Sequence, residues 1–148
     1  MATGIYIGGS MPKYVTTTET INITAGNISA YFTVSNNSYY FVGNGSVFTT
    51  NNGGVANSTA KTTLTAKQNM SNITFNYSYS SEANYDKFTL TVAGTVIENA
   101  VSGATTTKSY SGTLSAGDTI IFQYAKDVSA DRNDDKCTFS DITISITT

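Results

Sequence analysis

The side chains of this chain that could do chemistry are its carboxylates, and their spacing is uneven. No acid lies between Glu19 and Glu82; then Glu82, Asp86, Glu98, Asp118, Asp127, Asp131, Asp134, Asp135 and Asp141 follow. Glu82 and Asp86 fall in Ser80-Ser81-Glu82-Ala83-Asn84-Tyr85-Asp86, and Asp127 to Asp135 follow an alternating apolar run that ends near residue 125. Carboxylates gathered in this way have three uses. A hard cation such as Ca²⁺ takes about six to eight oxygen ligands, which Glu82, Asp86 and Asp127, with Asp131 or Asp134 and backbone carbonyls, would supply while relieving like-charge repulsion. Two carboxylates roughly 5–9 Å apart would flank a glycosidic bond, one of them with a raised pKa. Solvated loop acids would simply keep one end of a sheet soluble. The run Asp131-Arg132-Asn133-Asp134-Asp135 lacks the Gly and distal Glu of an EF-hand loop.

Other chemistries are excluded by what the chain lacks. There is no histidine, so Ser-His-Asp and Cys-His nucleophile systems, imidazole metal ligands and a neutral-pH switch are all absent. A formal charge of −2 with 8 Lys and Arg cannot supply the clustered cations that neutralise phosphates, so neither nucleic acid nor an anionic membrane surface is an expected partner. The lone Cys137 cannot close an intramolecular disulfide. It reads as a small buried hydrophobe or as a reactive thiol. Asn-X-Ser/Thr triplets such as Asn22-Ile23-Thr24 arise by chance in a Thr/Ser/Asn-rich chain and are no evidence of glycosylation.

The elements that must hold the acids are strands. Ile73, Phe75, Tyr77 and Tyr79 alternate with Thr74, Asn76 and Ser78; Phe88, Leu90 and Val92 with Thr89 and Thr91; Ile120, Phe122 and Tyr124 with their neighbours; and Ile142, Ile144 and Ile146 with Thr143 and Ser145. Turn residues fall between these runs at Asn51-Asn52-Gly53-Gly54, Ala93-Gly94, Ser102-Gly103 and Ala116-Gly117-Asp118. With 148 residues the pattern predicts one all-β domain, a jelly-roll or β-sandwich over 28–148. If strands near 73–79, 88–93, 95–100, 105–111 and 119–125 alternate in direction, both acidic loops emerge at the same end. Residues 1–27 read as short extended segments between Gly and Pro breaks: an N-terminal arm docking through Ile5, Tyr6, Ile7 and Tyr14, or alternatively the first edge strands of the domain. The start of the chain has no basic segment and no apolar stretch of signal-peptide or membrane-helix length, so cytoplasmic synthesis without membrane insertion is expected.

Tyrosines supply the other candidate surface. Tyr40, Tyr85 and Tyr110 stand beside loops or strand ends and could stack on a sugar, although most tyrosines on period-two strands serve as packing.

The segment Ser81-Glu82-x-Asn84-Tyr85-Asp86-x-Phe88-x-Leu90, with the later Leu114-x-x-Gly117-Asp118-x-Ile120-x-Phe122-x-Tyr124-x-Lys126-Asp127-x-Ser129, resembles the CUB-like jelly-roll domains of bacterial and phage surface proteins. The resemblance covers roughly residues 30–146 and implies binding and adhesion, not catalysis. It also implies that Glu82, Asp86 and Asp127 would hold Ca²⁺; the cysteine pairs of extracellular CUB domains are missing. The opening Gly4-Ile5-Tyr6-Ile7-Gly8 is similar to short elements that begin many tail-associated proteins of phages from Gram-positive hosts. Together these imply a non-enzymatic phage virion protein, tail-associated or decorating the capsid. Its expected partners are other virion proteins, further copies of itself and a host surface glycan. The alternative expectation is a stand-alone, calcium-dependent carbohydrate-binding module.

Overall fold

The computed structural model describes residues 15–128 and 132–148. Eleven strands are assigned in it: β1 Thr18–Asn22, β2 Phe32–Asn36, β3 Phe41–Asn44, β4 Val47–Thr50, β5 Thr59–Ala66, β6 Met70–Ser80, β7 Lys87–Val92, β8 Thr95–Val101, β9 Thr106–Leu114, β10 Thr119–Ala125 and β11 Lys136–Thr147. The expected all-β sandwich is the observed architecture. One sheet runs β3-β4-β11-β6-β9, with β1 also on β11, and the other runs β2-β5-β10-β7-β8. All strand pairings are antiparallel. A single helical turn, α1 Ile28–Tyr31, is the exception to the period-two pattern, and it buries Ile28.

The alternation written in the sequence decides which side chains meet. Phe122 on β10 and Phe139 on β11 point inward from opposite sheets and stack with ring centroids 3.9 Å apart. Phe48 stacks on the other side of Phe139 at 4.6 Å, and Phe75 meets Phe122 edge-on at 5.4 Å. Such offset and edge-on contacts add to the transfer free energy of burying the rings. Among the described residues no helix is long and apolar enough to cross a membrane.

Of the two readings of residues 1–27, the described residues 18–23 follow the edge-strand one. Thr18–Asn22 is an integral strand, with Ile21 opposite Ile144, and the following Ile23 is 1% exposed and bonded through its N–H to the Ile142 carbonyl at 2.8 Å. The cause lies in β11. Its register on β6 shifts between Ser140 and Thr143, where Asp141 adopts a φ of 53°, and such a bulge bends and twists a strand. The first half of β11 therefore pairs with β4 and the second with β1. Ile5, Tyr6, Ile7 and Tyr14 lie outside the described residues.

From β2 onward consecutive strands alternate in direction, so the connections after β2, β4, β6, β8 and β10 share one end of the sandwich. Those are residues 37–40, 51–58, 81–86, 102–105 and the described residues of 126–135.

Candidate functional site

Three ionisable residues at this end continue the inward rows of their strands. Asp86 precedes Phe88, Leu90 and Val92; Lys126 follows Ile120, Phe122 and Tyr124; Asp135 precedes Cys137 and Phe139. Parity alone therefore turns all three toward the core, and all three are buried. Asp86 and Lys126 each have side chains 1% exposed and lie 3.3 Å apart, Oδ2 to Nζ. The Lys126 ammonium also donates to Asp135 Oδ1 and sits 5.8 Å from the centroid of the Tyr124 ring. The remaining acceptor positions are filled as well. The Asp127 N–H donates to Asp86 Oδ1 at 2.9 Å, the Tyr124 hydroxyl to Asp135 Oδ1 at 2.6 Å, and the Gly54 N–H to Asp135 Oδ2 at 2.7 Å.

The electrostatics follow from these contacts. Burial pushes the Asp135 carboxyl upward, but the bonds from Lys126, Tyr124 and Gly54 outweigh it and leave it below its ordinary value. The Tyr124 phenol moves upward through burial and through its bond to Asp135, and burial raises the Cys137 thiol. Cys137 is thus the buried hydrophobe of the two readings, not an accessible thiol.

A second set of bonds ties four of the five loops together. Ser81 exchanges backbone and hydroxyl bonds with Gly103 at 2.9 and 3.2 Å, and its own carbonyl accepts the Asn133 side-chain amide at 2.7 Å. The Asn84 N–H donates to Ser102 Oγ at 2.7 Å, and the Asn57 N–H to the Asp127 carbonyl at 2.9 Å. Asn57, Asn84, Asn133 and Asp135 all have φ between 48° and 70°. Asn and Asp accept this left-handed region better than most residues, and the strain is held by the surrounding bonds.

The candidate ligands and aromatics separate in space. Asp86 is consumed by Lys126 and the Asp127 amide. Asp134 is exposed, with its N–H on Ser80 Oγ at 3.1 Å. Glu82 and Asp127 are partly exposed, and Asp131 lies outside the described residues. Among the described residues no group of three or more His, Cys, Asp or Glu is arranged to hold a metal ion. Tyr85 is 57% exposed at the tip of the 81–86 loop. Tyr40 is half-buried in the 37–40 loop, between β2 and β3, where its N–H donates to Asn51 Oδ1 at 2.8 Å. Tyr110 is removed from this set: it lies within β9 and stacks on Phe75 at 5.2 Å as part of the core margin.

Glu98, which alternation does not mark as inward, forms a separate buried site. Register shifts in the pairing of β7 with β8 turn it into the sandwich, where its Oε1 accepts the Tyr77 hydroxyl at 2.7 Å and the Lys108 ammonium at 2.8 Å. Asn52 is also fully buried, its amide donating to the Tyr124 carbonyl at 3.3 Å. A cavity of about 230 Å³ opens at the β11 bulge, with Asn22, Ser46, Asp141 and Thr143 on its walls.

No family model and no curated protein matches the chain. Among solved structures, the fold is similar to part of the secreted serine protease VesC from Vibrio cholerae, at 12% identity and a TM-score of 0.57 over 83% of this chain. The chain spans 28% of that protease's length, so the likeness concerns one β-sandwich portion of it. Weaker similarities are to a CBM35 from Paenibacillus barcinonensis (14% identity, TM-score 0.38, 82% of this chain and 98% of that one) and to a family 35 carbohydrate binding module from Clostridium thermocellum (11%, 0.37, 88% and 99%). What the likeness to the VesC portion supports is the β-sandwich fold.

Proposed function

We propose that the chain is a non-catalytic binding module whose loop end, with Tyr85 at its tip, takes a neutral carbohydrate. The observation that carries this reading is an exposed aromatic ring on a loop already fixed to the 102–105 loop at two points, Ser81 to Gly103 and Asn84 to Ser102. A phenol offers a sugar an apolar face and a polar tip, and a pre-ordered loop loses little conformational freedom on binding. Polar groups of the same end include Asn84, next to Tyr85 in the chain, Ser102 on the Asn84 N–H and Asn133 on the Ser81 carbonyl. The two buried carboxylates, Asp86 and Asp135, have Lys126 between them and do not face solvent as an acid and base on either side of a glycosidic bond would. Binding by this end does not depend on a virion role or a docking arm.

Affinity electrophoresis through gels containing soluble neutral polysaccharides, such as xylan, mannan and mixed-linkage glucan, tests the proposal. Wild type is retarded by at least one of them, and Tyr85→Ala migrates as in a plain gel while melting at the wild-type temperature. Equal mobility of the two proteins in every gel overturns it.

A further inference from the structure

We infer that Lys126 is the resident cation of the loop end, taking the place a divalent ion would fill, so that the acidic loops are ordered without metal. Two carboxylates brought from different loops into the interior need a counter-charge, because an isolated buried carboxylate is far too costly to keep ionised. The sequence suggests a Ca²⁺ held by Glu82, Asp86 and Asp127 with Asp131 or Asp134, but the Asp86 carboxylate is already engaged. Ca²⁺ needs about six to eight oxygens around one centre, whereas both oxygens of Asp86 and both of Asp135 already accept bonds from within the chain. The centre between those two carboxylates is the Lys126 nitrogen, which would repel a second cation. Among the described residues, Asp86 and Asp135 bring −2 and Lys126 +1, and three neutral donors, the Tyr124 hydroxyl and the N–H groups of Gly54 and Asp127, also bond the two carboxylates.

A tethered ammonium behaves differently from a bound ion. Stabilisation by a free ion grows with its concentration over its dissociation constant and vanishes in chelator. Lys126 is covalently part of β10's continuation and is present at every ion concentration. Lys126 thereby joins Asp86 of the 81–86 segment to Asp135, whose other oxygen holds the 51–58 segment through the Gly54 N–H. This inference is independent of what the loop end binds.

The test is thermal melting of wild type, Lys126→Met and Asp86→Asn in excess chelator and in millimolar CaCl₂. Wild type is expected to melt at the same temperature in both. Lys126→Met leaves two buried carboxylates without their cation and is expected to melt on the order of 10 °C lower in chelator. Asp86→Asn, which keeps one acid on Lys126, is expected to lose less than Lys126→Met and to be insensitive to Ca²⁺. A wild-type melting temperature that rises with Ca²⁺ overturns the inference, as does Lys126→Met melting like wild type. If Lys126→Met does not fold, the ordering of Asp86→Asn below wild type and the absence of any Ca²⁺ effect on both decide the matter, and equal melting of the two overturns it.

Discussion

Replacing Glu98 probes the second buried ionic site, where the two sheets are joined across their β8 and β9 edges. Glu98 Oε1 accepts both the buried Tyr77 hydroxyl and the Lys108 ammonium. The Lys108 side chain is 45% exposed, so solvent screens its attraction and its share of the stability is small. The Tyr77 bond matters more: burial first, then the bond to Glu98, pushes that phenol upward in pKa, so it remains a donor throughout the accessible pH range. Glu98→Ala leaves this donor unsatisfied inside the sandwich, at a cost of about 2–3 kcal/mol, which for a chain of this size is roughly 5–10 °C in melting temperature. Glu98→Gln keeps a carbonyl oxygen for the hydroxyl and is expected to cost less than about 1 kcal/mol. Urea denaturation of Glu98→Ala, Tyr77→Phe and the double variant closes the cycle, with an expected coupling of about 1–2 kcal/mol. Additive single-variant effects would refute the reasoning, and so would Glu98→Gln as damaging as Glu98→Ala.

Two further outcomes follow from other parts of the molecule. Because the Asp135 carboxyl lies below its ordinary 3.8 in the folded chain, its contribution to stability is complete above that value and is lost as pH falls through the lower folded value. Urea midpoints should therefore drop steeply below roughly pH 4 in wild type and less steeply in Asp135→Asn, which starts lower at neutral pH. At Gly43, an added Cβ would lie 2.6 Å from the Phe48 ring and 2.8 Å from the Ala25 Cβ. Phe48 is held by its stack on Phe139, so Gly43→Ala should cost about 1–3 kcal/mol by overpacking, measured as a lower denaturation midpoint.

The strands near 73–79, 88–92, 119–125 and 142–146 are legible because apolar residues alternate there with Thr, Ser and Asn, and the same alternation brings the loops after β6 and β10 to one end. The helical turn at Ile28–Tyr31 is too short to show a period of its own. The extended segment before residue 27 shows in the sequence but its partner does not: the half of β11 that pairs with it follows the Asp141 bulge, and a bulge leaves no fixed signature in a Ser/Thr-rich run. At the site, the acids were visible but their counter-charge was passed over. The signal was present, since Lys126 is the next inward position after Tyr124, as Asp86 and Asp135 are the positions before Phe88 and Cys137. Glu98 carried no such mark, because irregular pairing of β7 with β8 breaks the parity that would have shown it.

Amide chemical-shift mapping of the ¹⁵N-labelled chain, titrated with a neutral oligosaccharide from the polysaccharide that retards it, tests the central claim most directly. The account predicts shifts concentrated in residues 37–40, 51–58, 81–86, 102–105 and 126–135, largest around Asn84 and Tyr85 and unchanged by chelator. Shifts centred on the outer sheet faces or on the Asp141 bulge, or perturbations that disappear when Ca²⁺ is removed, would contradict it.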